Sequence, residues 1–148
     1  MINPLRVFVD SDVIISSLIS QKGAAFLLLS KKGLNFYISN LSKRELAIVA
    51  ERLNIDRTEL SSIIKNKLKI VTIKDDLDSI KTKFSQYTKD PNDAHIVAGA
   101  SRTNAKFLIT YNLRDYKIDK IKQDFGIICL NPGQFLQYLR SLRKIYEI

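Results

Sequence analysis

Four acidic residues stand where they could do chemistry together: Asp10, Glu45, Asp93 and Asp115. Asp10 ends the apolar run Val7-Phe8-Val9, and Glu45 closes Ser42-Lys43-Arg44-Glu45. Asp93 closes Asp90-Pro91-Asn92-Asp93, and Asp115 follows the run Phe107-Leu108-Ile109 by way of Thr110-Tyr111-Asn112-Leu113-Arg114. Each has a local explanation. Asp10 can cap the helix after it, and Glu45 can answer Ser42 in a capping box. Asp90, Pro91 and Asp93 make an ordinary helix start favoured by the macrodipole, and Asp115 fits a turn. Taken together they need one explanation instead of four. Two carboxylates ~5 Å apart repel by about 3 kcal/mol at an effective dielectric near 20, so a cluster calls for a cation. Mg²⁺ and Mn²⁺ prefer hard oxygen donors, usually a few carboxylates with waters and substrate phosphate oxygens. An acidic metal pocket in a basic surface is the layout expected of an enzyme that cuts a phosphodiester backbone.

The acids matter only if the fold gathers them, and the chain reads as strands alternating with helices. Strands are expected over residues 7–9, 34–39, 69–73, 106–110 and 127–130. Helices are expected over 11–20, 24–29, 40–53, 56–68, 75–87 and 94–102, with a last one from Asn131-Pro132 onward. The helix over 40–53 is expected to start at the capping box of Ser42 and Glu45. A short basic segment is expected to join Tyr116 to the fifth strand. In the last helix Phe135, Leu136, Leu139 and Leu142 share one side. Val7, Phe8 and Val9 lack clean alternation, as in a strand covered on both faces of a parallel sheet. An α/β architecture with helices on both faces follows. In such sheets the carboxyl edge of the strands is where ligands bind, and Asp10 and Asp115 fall there.

At 148 residues and 45% hydrophobic, the chain suits one domain over 1–148 with a substantial core. Charged residues interrupt every apolar stretch well before the ~20 residues of a membrane span, and residues 1–6 are too short for a signal peptide. A cytoplasmic protein is expected. The single cysteine, Cys129, excludes an intramolecular disulfide and reads as a buried core thiol. A formal charge of +9, spread along the chain, favours polyanionic partners and becomes informative beside acids that cluster against the trend.

Four motifs, Val7-Phe8-Val9-Asp10-Ser11-Asp12-Val13, Glu45 in Ser42-Lys43-Arg44-Glu45-Leu46, Asp90-Pro91-Asn92-Asp93-Ala94-His95-Ile96-Val97-Ala98 and Ile109-Thr110-Tyr111-Asn112-Leu113-Arg114-Asp115-Tyr116, resemble those of the PIN-domain nucleases. The closing Ile128-Cys129-Leu130-Asn131-Pro132-Gly133-Gln134-Phe135-Leu136 is similar to the last strand and helix of that family, so the resemblance covers nearly the whole chain. It implies a three-layer α/β/α sandwich around a mainly parallel sheet of about five strands. It also implies metal-dependent cleavage of single-stranded RNA, with Asp10, Glu45, Asp93 and Asp115 as the catalytic, metal-binding acids and Mg²⁺ or Mn²⁺ as cofactor. Asp12, Asp90, Thr110 and Asn112 are candidates to support the acids. Many small members resemble VapC-type toxins, which implies a cognate antitoxin that covers the site, and a homodimer is a further candidate assembly. At Asp12 the family often has Asn, so this chain brings an extra carboxylate. Tyr116 stands where Phe is common and is expected to matter little. His95, two residues along a helix from Asp93, is expected to point away from it in a structural role.

On this reading the metal-bound acids activate a water that attacks phosphorus in line, leaving a 5′-phosphate and a 3′-hydroxyl, and Glu45 binds a second ion or orients the water. Lys43, Arg44, Arg114 and Lys117 flank the acids and are candidates to bind RNA phosphates. The rival enzyme is a haloacid-dehalogenase-like phosphatase, since Asp10-Ser11-Asp12 is similar to its nucleophile and acid pair; it would leave Asp93 and Asp115 idle. A receiver-type domain would want a Lys after the last strand, where Asn131 stands. A PIN-like domain that only binds RNA or protein is the remaining alternative.

Overall fold

The computed structural model describes the backbone of residues 4–146 and the side chains of residues 4–142. Five strands, β1 (Leu5–Val9), β2 (Leu34–Ser39), β3 (Leu68–Val71), β4 (Phe107–Ile109) and β5 (Ile128–Leu130), form one sheet in the order β3-β2-β1-β4-β5. Every pairing is parallel. The helices are α1 (Ser11–Ile19), α2 (Ala24–Leu29), α3 (Asn40–Arg52), α4 (Arg57–Lys67), α5 (Leu77–Phe84), α6 (Ala94–Arg102), α7 (Ile118–Phe125) and α8 (Pro132–Tyr146).

Strand alternation builds the layers. Val7, Val9, Phe36, Ile38, Phe107 and Ile109 face one side, where they pack with residues of α1, α2, α3, α4 and α8. Phe8, Leu108 and Cys129 face the other, against Ile96, Val97 and Ala100 of α6 and Ile121 of α7. The result is the expected three-layer α/β/α sandwich, and β1 and β4 at its centre are buried on both faces. Cys129 is a buried free thiol, pushed up to about 12 by desolvation. None of the described helices is long and apolar enough to cross a membrane.

The small-residue face of α6 has a specific task. Gly99 lies against the Phe8 ring, and a Cβ there would overlap it. Gly99→Ala therefore tests the packing of α6 on the sheet by the sign of its effect. Helix propensity alone favours Ala by about 1 kcal/mol, whereas overpacking a fully buried aromatic costs about 1–3 kcal/mol. The expected outcome is a lower denaturation midpoint with unchanged m-value; an equal or higher midpoint rejects the close approach.

Three local expectations are corrected. The basic stretch after Tyr116 is not a bare connector, because Ile118, Ile121 and Phe125 give it an inward stripe. It forms α7, ended by Gly126 in the left-handed region (φ 70). The segment 75–87 is helical only over Leu77–Phe84, capped by Asp76, before a 3-10 turn at Ser85–Tyr87. The start of α3 is not the Ser42 and Glu45 box. Ser39, at the end of β2, is the cap and accepts from Ser42 N–H at 3.1 Å, which frees Glu45 from capping.

Candidate active site

The sheet order sets the site. β1 is central, and β4 beside it carries Asp10 N–H to Ile109 O at 2.9 Å, so Asp10 and Thr110 leave adjacent strand ends side by side. Asp10 is also the cap of α1, as its local reading required: its Oδ1 accepts from Ser11 N–H at 2.7 Å. Its Oδ2 accepts from the Thr110 hydroxyl at 2.9 Å and the Tyr116 hydroxyl at 2.8 Å. Three of about four acceptor positions are thus filled by the protein itself, which fixes the carboxylate's orientation and leaves one position on Oδ1.

Tyr116 corrects an expectation. Its hydroxyl is not incidental, since a Phe there would remove a donor from Asp10. Burial first, then the charge of Asp10, hold the phenol well above its ordinary range, so it stays a donor at every accessible pH. The same residue ties two loops together. Thr88 and Tyr116 form an isolated antiparallel bridge, with Lys89 N–H to Asp115 O and Lys117 N–H to Tyr87 O both at 2.9 Å. This staple draws the segment before α6, which carries Asp93, onto the loop after β4, which carries Asp115.

Asp93 sits at the end of a 3-10 turn, Pro91–Asp93, and makes no cap hydrogen bond. Asp90 does the capping, accepting from Asn92 N–H at 2.9 Å. The helix-start explanation therefore covers Asp90 and leaves the Asp93 side chain unaccounted for. Burial pushes Asp93 up to about 6, and the charges of Asp10, Asp90, Asp115 and Glu45 push in the same direction. The four sequence-selected acids are thus close enough to repel through Asp93.

Asp12 joins them. Its Oδ2 accepts from Tyr111 N–H at 3.1 Å and Asn112 Nδ2 at 3.0 Å, and lies 3.3 Å from the Thr110 hydroxyl. Its Oδ1 is buried without a partner. Burial, then the charge of Asp10, push Asp12 up to about 7, and burial also raises Asp10. Thr110 has one proton for two carboxylates, and the shorter contact is to Asp10; its oxygen accepts from Asn112 N–H at 3.0 Å. Thr110 and Asn112 therefore organise the acids as supporting groups.

Glu45, from α3, pairs with Nε2 of the buried His95. His95 thus touches one of the four acids, on an element other than its own. An open cleft of about 450 Å³ lies beside them, lined by Asp10, Asp12 and Glu45 together with Ile15, Ile19 and Val49. Lys43, Arg44, Arg114 and Lys117 are exposed on the two elements flanking the acids.

Among the described residues no three His, Cys, Asp or Glu side chains form a ready-made metal cage. The hydrogen bonds explain why: Asp10 is tied to Thr110 and Tyr116, Asp12 to the loop after β4, and Glu45 to His95. The donor set still fits a hard divalent ion, because it consists of carboxylates whose proton affinities are raised by burial first and by one another's charge second.

A family model described as the PIN domain matches residues 6–114. The chain belongs to the PIN-domain family. The match stops one residue before Asp115, so the PIN-domain assignment rests on the segment from β1 through the loop after β4. Among solved structures, the fold is similar to a toxin–antitoxin complex from Klebsiella pneumoniae, at 19% identity and TM-score 0.61, covering 82% of this chain and 95% of that one. It is also similar to VapBC2 from Rickettsia felis bound to a DNA fragment from their promoter, at 16% identity and TM-score 0.58, covering 86% and 98%. At these identities the likeness is one of fold. A comparison with curated proteins returns no significant match.

Proposed function

We propose that this PIN domain is a divalent-metal-dependent endoribonuclease that cleaves single-stranded RNA, and that it is the toxin of a toxin–antitoxin pair. The observation that carries the reading is the setting of Asp93: a partly buried carboxyl with no capping duty, pushed up to about 6 by burial first and then by the charges of Asp10, Asp90, Asp115 and Glu45, in a chain of net charge +9. A cluster that raises its own members' proton affinity disfavours the empty folded state, and a function that recruits a cation accounts for keeping it. The likeness to a toxin–antitoxin complex and to VapBC2 supports the partner, an antitoxin that would cover the cleft.

Asp10, Glu45, Asp93 and Asp115 would hold the ion, Mg²⁺ or Mn²⁺. What it supplies when bound is a water of lowered pKa and compensation for charge growing on the phosphate. The chain's own residues do the rest. Ser11 N–H, Thr110 and Tyr116 orient Asp10, and His95 orients Glu45. Lys43, Arg44, Arg114 and Lys117 offer cations to the RNA backbone.

The test is cleavage of a labelled single-stranded RNA by the purified protein in Mn²⁺, with and without chelator. Cleavage that needs the ion, leaves 5′-phosphates and is suppressed by the product of a neighbouring reading frame is the expected result. Metal-independent cleavage, or none in Mn²⁺ or Mg²⁺, overturns it. Hydrolysis of a phosphomonoester instead would restore the phosphatase alternative.

A further inference from the structure

We propose that Tyr111 is a stacking platform for one nucleobase of the substrate, with Arg114 beside it as the contact to an adjoining phosphate; this subsite rests on the reading of the protein as a single-strand ribonuclease. Tyr111 is the one aromatic among the large hydrophobic side chains exposed in the described residues, at 44%. The other aromatic rings near the site have work inside the protein: Tyr116 donates to Asp10, Tyr87 packs on Phe125, and Phe8 is fully buried. Tyr111 has an open cleft of about 340 Å³, lined with Asn112, Leu113, Arg114 and Asp115. One wall of that cleft is therefore an acid of the proposed metal set, and another is an exposed arginine.

The backbone under the ring is fixed on both sides. Thr110 N–H donates to Leu130 O at 3.1 Å, Tyr111 N–H to Asp12 Oδ2 at 3.1 Å, and Asn112 N–H to the Thr110 hydroxyl at 3.0 Å. An exposed ring on a pinned backbone, next to the acids, presents a π-face at little ordering cost. A base can meet that face only when it is unstacked from its neighbours, which selects single strands and splayed loops over duplex. A side-chain oxygen of Asp12 thus anchors the Tyr111 amide.

Stacking acts on binding, so the effect belongs in affinity and KM. The experiment measures binding of a short fluorescent single-stranded RNA in chelator, where cleavage is blocked, and kcat and KM for its cleavage in Mn²⁺. Tyr111→Ala and Tyr111→Leu are expected to weaken binding about 5- to 100-fold and to raise KM in step, with kcat within about twofold, while Tyr111→Phe behaves as the parent. An RNA with an abasic ribose at the stacked position should bind parent and Tyr111→Ala alike. Tyr111→Ala protein that binds and cleaves like the parent overturns the subsite alone and leaves the ring to a protein partner. A parent that neither binds nor cleaves RNA overturns the nuclease reading and the subsite with it.

Discussion

An Asp93→Asn protein is expected to be more heat-stable than the parent at pH 8 without divalent ions, and to cleave single-stranded RNA in Mn²⁺ at least about a hundredfold more slowly. The loss has the size of removing one preorganised group that stabilises transition-state charge. The gain in stability follows from linkage. The folded Asp93 carboxyl is pushed up to about 6 from an ordinary 3.8, first by burial and then by Asp10, Asp90, Asp115 and Glu45. A group whose folded value is raised binds its proton more tightly folded than unfolded. Above pH 6 its ionisation therefore opposes folding, and asparagine removes that opposition. Asp93 is only partly buried, so solvent screening trims the gain to roughly 1–2 °C in midpoint. Its side chain makes no cap bond, so nothing in the helix start depends on the charge. The two changes must go in opposite directions, because a residue kept for function can oppose folding. Unchanged cleavage refutes the role of Asp93. Lost cleavage with a lowered midpoint would instead make it a structural residue.

Much of this site was legible because its carriers are local. Asp10 is announced by an apolar strand run stopping at an acid, and Asp93 by an acid, a proline and a second acid before a small-residue helix; both lie where the pattern puts them. What the sequence concealed depends on contacts between residues far apart in the chain. Tyr116 reaches Asp10 across 106 positions, and a tyrosine after an acid carries no local mark of a partner. The contact of His95 with Glu45 joins α6 to α3, and the spacing of Asp93 and His95 carries no mark of it. The capping box at Ser42 failed for a related reason. Ser39 ends β2 and caps α3 three residues early, a choice made by where the strand stops. In α7 the inward stripe of Ile118, Ile121 and Phe125 was masked by the charged residues between them, of which Asp119, Lys122 and Asp124 are exposed and Lys120 lies over the Tyr87 ring. Asp12 illustrates a subtler limit: its place beside Asp10 is plain in the sequence, but its bonds to Tyr111 and Asn112 exist only because β1 and β4 are neighbours.

That adjacency has a consequence for the whole fold. Three carboxyls, Asp10 after β1, Asp12 in the first turn of α1 and Asp93 before α6, are all raised in the folded protein: Asp12 to about 7, Asp93 to about 6, and Asp10 in the same direction, burial leading in each case. Below about pH 4 they are protonated in both states and contribute nothing to the pH dependence. As pH rises from there toward 7, the unfolded chain releases protons that the folded site retains, so each contributes a falling stability that levels off once the folded groups have ionised. Asp75 has the opposite sign. Its hydrogen bonds to Arg102 lower its value, and its contribution is lost only as pH falls below the ordinary carboxylate range. Without divalent ions the thermal midpoint should therefore peak near pH 4 and decline to a plateau above pH 7, unusual for a chain of net charge +9. An ion that binds the ionised acids of the folded state alone acts against this decline, by mass action and by competing with protons. Millimolar Mn²⁺ is expected to raise the midpoint little at pH 5 and by several degrees at pH 8, flattening the profile. The measurement is a set of melting curves at half-unit pH steps in chelator and in Mn²⁺, with Asp12→Asn as control. Asparagine at 12 can keep its oxygen on Tyr111 N–H and Asn112, so that protein should lose part of the decline while still responding to the ion. A chelated midpoint that stays flat or climbs from pH 5 to 8 would show that burial and mutual repulsion do not raise these acids in solution, and the case for a cation among them would lose its physical ground.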